Sequence, residues 1–170
     1  MNSDDLRSLQ APLKAHYKED PSAALFTLTA QGHLGEGVTC SVQTGRALAQ
    51  AGLHPATGGD GLSVCSGDML LEALVACAGV TLNSVATAIG VEIRDGVVRA
   101  EGDLDFRGTL GVYKEVPVGF QRIRLFFDLD TDASEEQLAT LLRLTERYCV
   151  VYQTLRQPPE ITVERAGHSG

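Results

Sequence analysis

From Met69 to Ile89 the chain carries a single charged side chain, Glu72, and is otherwise Leu, Val, Ala and small polar residues. A stretch this long and apolar has to be buried, in a protein core or in lipid. Asn83 and the interspersed Ser, Thr and Gly residues have no partners in hydrocarbon, so a buried core helix is the reading the composition favours. Both ends are punctuated for a helix. Ser66 is placed to cap the N-terminus, Asp68 sets a negative charge in the first turn, and Gly90 stands where a left-handed residue closes a helix. At about 100° per residue, Leu71, Val75, Leu82, Val85 and Ile89 form one bulky stripe. Cys77 lies on another face with Ala73, Thr81, Ser84 and Ala88, all small enough to admit a second backbone or a ligand.

The 170 residues, 44% of them hydrophobic, suit one domain with a core of its own. A formal charge of −8 without a Lys/Arg cluster opposes nonspecific binding to nucleic acid or to an anionic membrane surface. Residues 1–20 are polar and charged, unlike a secretory leader, which points to the cytoplasm. In that compartment four cysteines are not a disulfide framework, and a disulfide between any two of them is expected to be transient.

Residues 1–24 read as an arm or short helix, residues 25–165 as the domain, and residues 166–170 as a disordered tail. Leu25–Thr29 and Val38–Val42 read as a hairpin about a turn at Gly32–Gly37. Arg46–Val64, rich in Ala and Gly, reads as a surface loop. Period-two alternation through Val98, Ala100, Leu104 and Phe106, matched by Ile123, Leu125, Phe127 and Leu129, predicts two antiparallel strands. Ser134 to Gln137 form a capping box that opens a second helix running toward Arg156 with Cys149 late in it. Ile161–Val163, after Pro158 and Pro159, reads as a terminal edge strand. The expected fold class is α+β, antiparallel sheets packed around two central helices.

His33, His54, Cys40 and Cys65 are metal-ligating residue types, but they show no paired Cys or His spacing, so no metal is expected. No phosphate or dinucleotide loop pattern is present either, and no cofactor is expected. Cys40, on a strand, reads as structural, and Cys65 as a loop thiol of open role.

Two segments resemble the OsmC/Ohr family, the osmotically inducible and organic hydroperoxide resistance proteins. One is Gly58-Gly59 followed by Ser66 through Cys77, similar to the family's Gly-Gly loop and Ser-Pro-x-Glu-Leu-Leu-x-Ala-x-x-x-Cys run. The other is Cys149-Val150-Val151-Tyr152-Gln153-Thr154-Leu155, similar to Cys-Pro-Val-x-x-Thr-Leu, with Val150 at the Pro position. The resemblance implies an intertwined homodimer that reduces organic, including lipid, hydroperoxides. Cys77 would become a sulfenic acid, Cys149 would resolve it as a disulfide, and an external dithiol would reopen the bond. A buried thiol needs a nearby cation to ionise. The family's arginine has no counterpart in Gly32–Gly37, which leaves Arg46 as the candidate, with Asp68 orienting it. The alternative expectation is a noncatalytic dimer that binds a small apolar ligand in its interface pocket.

Overall fold

The computed structural model describes residues 3–34, 40–42, 51–62 and 64–164. Its frame is a four-stranded antiparallel sheet in the order β2-β1-β5-β6, where β1 is Leu25–Leu34, β2 Cys40–Val42, β5 Asp95–Asp105 and β6 Phe120–Asp130. The alternation read in the sequence is the pleat itself as far as Asp105, whereas Phe106, expected to continue it, opens a short helix. Val98, Ala100 and Leu104 point inward and are buried, and Val98 pairs with Phe127, Ala100 with Leu125.

The apolar stretch is helix α2, Ser66–Ile89, which packs on β1 and β5 with one side and on two C-terminal helices with the other. Those helices, α4 (Glu135–Tyr148) and α5 (Val150–Arg156), together with α2 make up the central helical layer. Leu71, Val75 and Leu82 are fully buried, as the stripe requires, while Ile89 at the helix end is 40% exposed. Gly90 closes α2 at φ 73°, and its N–H bonds back to the last turn. The N-cap is Cys65 rather than Ser66, one residue earlier than the sequence indicated. Among the described residues, α2 is the one helix long and apolar enough to cross a membrane, and half of it is buried inside the fold.

The hairpin β1-β2 forms, but β1 continues through Gly32, which pairs with Val42 inside the ladder, so the expected turn at Gly32–Gly37 begins later. Residues 35–39 lie outside the described residues. The segment expected to be a surface loop is partly built into the core. Ala51–Gly52 (β3) and Val64–Cys65 (β4) make a two-residue parallel bridge. The 3-10 turn Pro55–Thr57 between them buries Ala56 and Thr57.

Helix α1, Ser3–Glu19, fastens this turn. The Tyr17 hydroxyl donates to the Ala56 carbonyl at 2.7 Å, and Gln10 Nε2 donates to the Thr57 carbonyl at 3.3 Å. A short helix, α3 (Phe106–Thr109), follows β5 and is capped by Asp105.

Ile161–Val163 is not a strand. Ile161 and Val163 are 80% and 94% exposed, and no described strand lies beside them, because Pro158 and Pro159 lead the chain away from both sheets. The capping box at Ser134 forms as read, Ser134 Oγ accepting from the Gln137 N–H and Gln137 Oε1 from the Ser134 N–H.

Candidate functional site

Cys77 and Cys149 meet. Cys77 is half-buried on α2, Cys149 is 1% exposed, and Cys77 packs against the core cluster that holds Cys149, near enough to act on its thiol. The contact depends on a break in what the sequence presents as one helix. Cys149 is not late in a helix but at a junction, with φ −70° and ψ 109°, closing α4 and opening α5.

Side chains hold the break without a proline. Thr145 Oγ1 donates back to the Leu141 carbonyl at 2.9 Å, a bond of the kind that bends helices, and Gln153 Nε2 donates to the freed Glu146 carbonyl at 2.7 Å. Val150 is then the first residue of α5, where an N–H has no intrahelical partner in any case and where Pro is tolerated but not required.

Burial pushes the Cys149 thiol up to about 11, and the adjoining Cys77 sulfur adds to the shift. The Tyr152 and Val151 amides, which face the Cys149 sulfur without closing a cap bond, work in the opposite direction. Cys149 is therefore a thiol, not a thiolate, at neutral pH. The stability consequence has a definite sign. Below pH 9 the group is protonated in both folded and unfolded chains. Between about 9 and about 11 the unfolded chain loses its proton first, so stability falls as pH rises through that window. Denaturant midpoints measured at pH 8, 10 and 11 are expected to show this decline in the native protein and a shallower one in Cys149→Ala.

Asp68 does not approach Cys77, which lies nine residues on and on the opposite side of α2. Its neighbour is His54, a residue whose position beside α2 the sequence did not reveal. His54 Nδ1 accepts the Ala56 N–H at 3.0 Å, and the ring stacks on Phe106 at 4.9 Å and meets Phe26 edge-on at 5.6 Å. Burial lowers the His54 imidazole's pKa, against the attraction of Asp68. Burial raises the Asp68 carboxyl, against the attraction of His54. Glu72, one turn on, is raised by burial and then by the Asp68 charge. The available signal was His54-Pro55 two residues before Gly58-Gly59, since Pro at the first position of a turn leaves the preceding side chain free to cap it.

Arg46 lies outside the described residues. No group of three His, Cys, Asp or Glu residues able to hold a metal occurs among the described residues.

A family model described as OsmC-like protein matches residues 58–164, which spans the Gly-Gly loop, both thiols and both central helices. The chain belongs to the OsmC-like family. The fold is that of its solved members. An OsmC-like protein from Mycoplasma pneumoniae is 18% identical with a TM-score of 0.55, covering 79% of this chain and 86% of that one. An OsmC-like hydroperoxide resistance protein from Jannaschia sp. is 16% identical with a TM-score of 0.60, covering 86% and 97%. Among curated proteins no sequence matches significantly.

Proposed function

We propose that this protein is a cytoplasmic thiol peroxidase that reduces organic hydroperoxides through Cys77, with Cys149 as the resolving thiol. The observation that carries the reading is the shared packing of the two cysteines, one half-open on α2 and the other sealed at the α4–α5 junction.

The Cys77 thiolate attacks the terminal oxygen of the hydroperoxide, the O–O bond breaks, and the alkoxide leaves and takes a proton as the alcohol, while Cys77 becomes a sulfenic acid. Cys149 then attacks that sulfur. Its own proton leaves with the departing hydroxyl as water, and a Cys77–Cys149 disulfide remains. An external dithiol reduces the bond, itself becoming a disulfide, and returns both thiols. A protonated, water-excluded resolving thiol suits this order, because it waits unreactive until its partner is oxidised.

Arg46 is the cation proposed to ionise Cys77, and Asp68, which faces away from Cys77 in its own chain, is proposed to orient that arginine from a second copy. A homodimer is part of the same proposal. Ala73, Ser84 and Ala88, on the face of Cys77, are exposed in the single chain, as are Val80 at 39% and Ile89 at 40% on the same helix, and a second copy would cover them. The similarity to a hydroperoxide resistance protein supports the substrate class.

The test is to add cumene hydroperoxide to the fully reduced protein and map cysteine pairing by peptide mass. A Cys77–Cys149 disulfide formed in proportion to peroxide consumed is expected. Peroxide left unconsumed, with both thiols still alkylatable after unfolding, would remove the peroxidase reading and leave the ligand-binding one.

A further inference from the structure

A cavity of about 330 Å³ opens between β6 and α5, on the side of α2 that carries Leu74. Its floor is apolar, made by Leu74, Phe120, Ile123, Leu125 and Leu155, and its walls include Arg122 and Arg156. Most arginines on or next to this sheet are committed. Arg124 is paired with Glu101 and Asp103, Arg99 with Glu101, Arg107 with Asp105, and Arg94 with Asp130 and Asp132.

The two at the cavity are not so engaged. Among the described residues Arg122 has no ion pair or hydrogen bond. It acts on Asp103 only at longer range, and that carboxylate is already held by Arg124 and the Thr27 hydroxyl. Arg156 reaches only the Tyr152 hydroxyl, at a long 3.5 Å, and feels Glu146 at a distance. Two exposed guanidiniums without carboxylate partners over an apolar floor offer paired donors to an anion.

We propose that this cavity binds an amphipathic carboxylate, the head group held between Arg122 and Arg156 and the alkyl chain laid over Leu74, Ile123 and Leu155. The volume is at the lower end of small-molecule sites, which suits one alkyl chain rather than a folded or polycyclic ligand. The planar fork of each guanidinium matches a carboxylate bidentately. None of its lining residues is a cysteine, but Leu74 and Tyr152 each lie one turn from a thiol, on the helices that carry Cys77 and follow Cys149.

Calorimetric titration of the full-length protein with decanoate, decanol, decyl phosphate and acetate tests it. Decanoate is expected to bind, decanol about tenfold or more weaker for want of the head group, and acetate not measurably. Arg122→Gln and Arg156→Gln should each weaken decanoate about tenfold and leave decanol unchanged. Both positions are exposed, so folding is not at stake, and unchanged melting temperatures would show it. Equal affinity for decanoate and decanol, no effect of either substitution, no decanoate binding, or tighter binding of decyl phosphate than of decanoate would each overturn the assignment.

Discussion

Cys77→Ser is expected to lose hydroperoxide reduction by roughly a thousandfold or more, and Cys149→Ser is expected to lose turnover while keeping a single burst. A serine hydroxyl does not ionise near neutrality and attacks O–O bonds poorly, whereas it replaces a half-buried thiol with little change in volume, so the loss should come without unfolding. In Cys149→Ser the sulfenic acid has no neighbour to condense with and should accumulate, trapped by dimedone at one equivalent per chain. The two variants separate nucleophile from resolver. Steady-state activity of Cys77→Ser within a few-fold of the native protein would mean that another group does the chemistry, and dimedone labelling at Cys65 would name it.

Gly59→Ala should destabilise the protein by about 3 kcal/mol, which for a chain of this size lowers the melting temperature by roughly 6 to 12 °C. A Cβ at Gly59 would sit 1.7 Å from the Leu53 carbonyl oxygen, and that atom is backbone, not a flexible side chain. The Gly59 N–H also donates to the His54 carbonyl at 3.1 Å, so moving the glycine pulls on the turn that seats His54 and Ala56, and through Ala56 on Tyr17. Gly58 has a different reason to be glycine, its φ of 94°. Thermal melts of Gly59→Ala and of an exposed control such as Asp60→Ala would check the claim. A difference under about 1 °C between the two would refute it.

What could be read without coordinates was whatever is written in periodicity. Helix α2 and strands β5 and β6 follow from spacing alone, because each buries one face against a flat partner and the pattern of Val98, Ala100 and Leu104 has no second solution. The α4–α5 junction did not show because nothing in Arg147-Tyr148-Cys149-Val150-Val151 breaks a helix. The bend is tertiary in origin, held by Thr145 and Gln153 bonds that become visible only once the helices are placed. The pairing of the two thiols was available only through the resemblance. His54 beside Asp68 was hidden for another reason, since the loop that carries it has no periodicity and its partners Phe26 and Phe106 lie on other elements. Ile161–Val163 reads as a strand by composition, but a strand needs a neighbour, and the prolines deny it one within the described chain.

The outer margin of β6 is charged oppositely toward its two ends. Eleven residues of backbone there have β5 on one side and no described strand on the other. Arg122 near the start of that margin and Asp128 near its finish are both exposed, and among the described residues neither is tied to a partner in an ion pair. A second copy arriving head to tail sets positive against negative at each extremity; one arriving in the same sense sets like against like. Were two such margins to meet, charge alone would favour one direction of approach over the other.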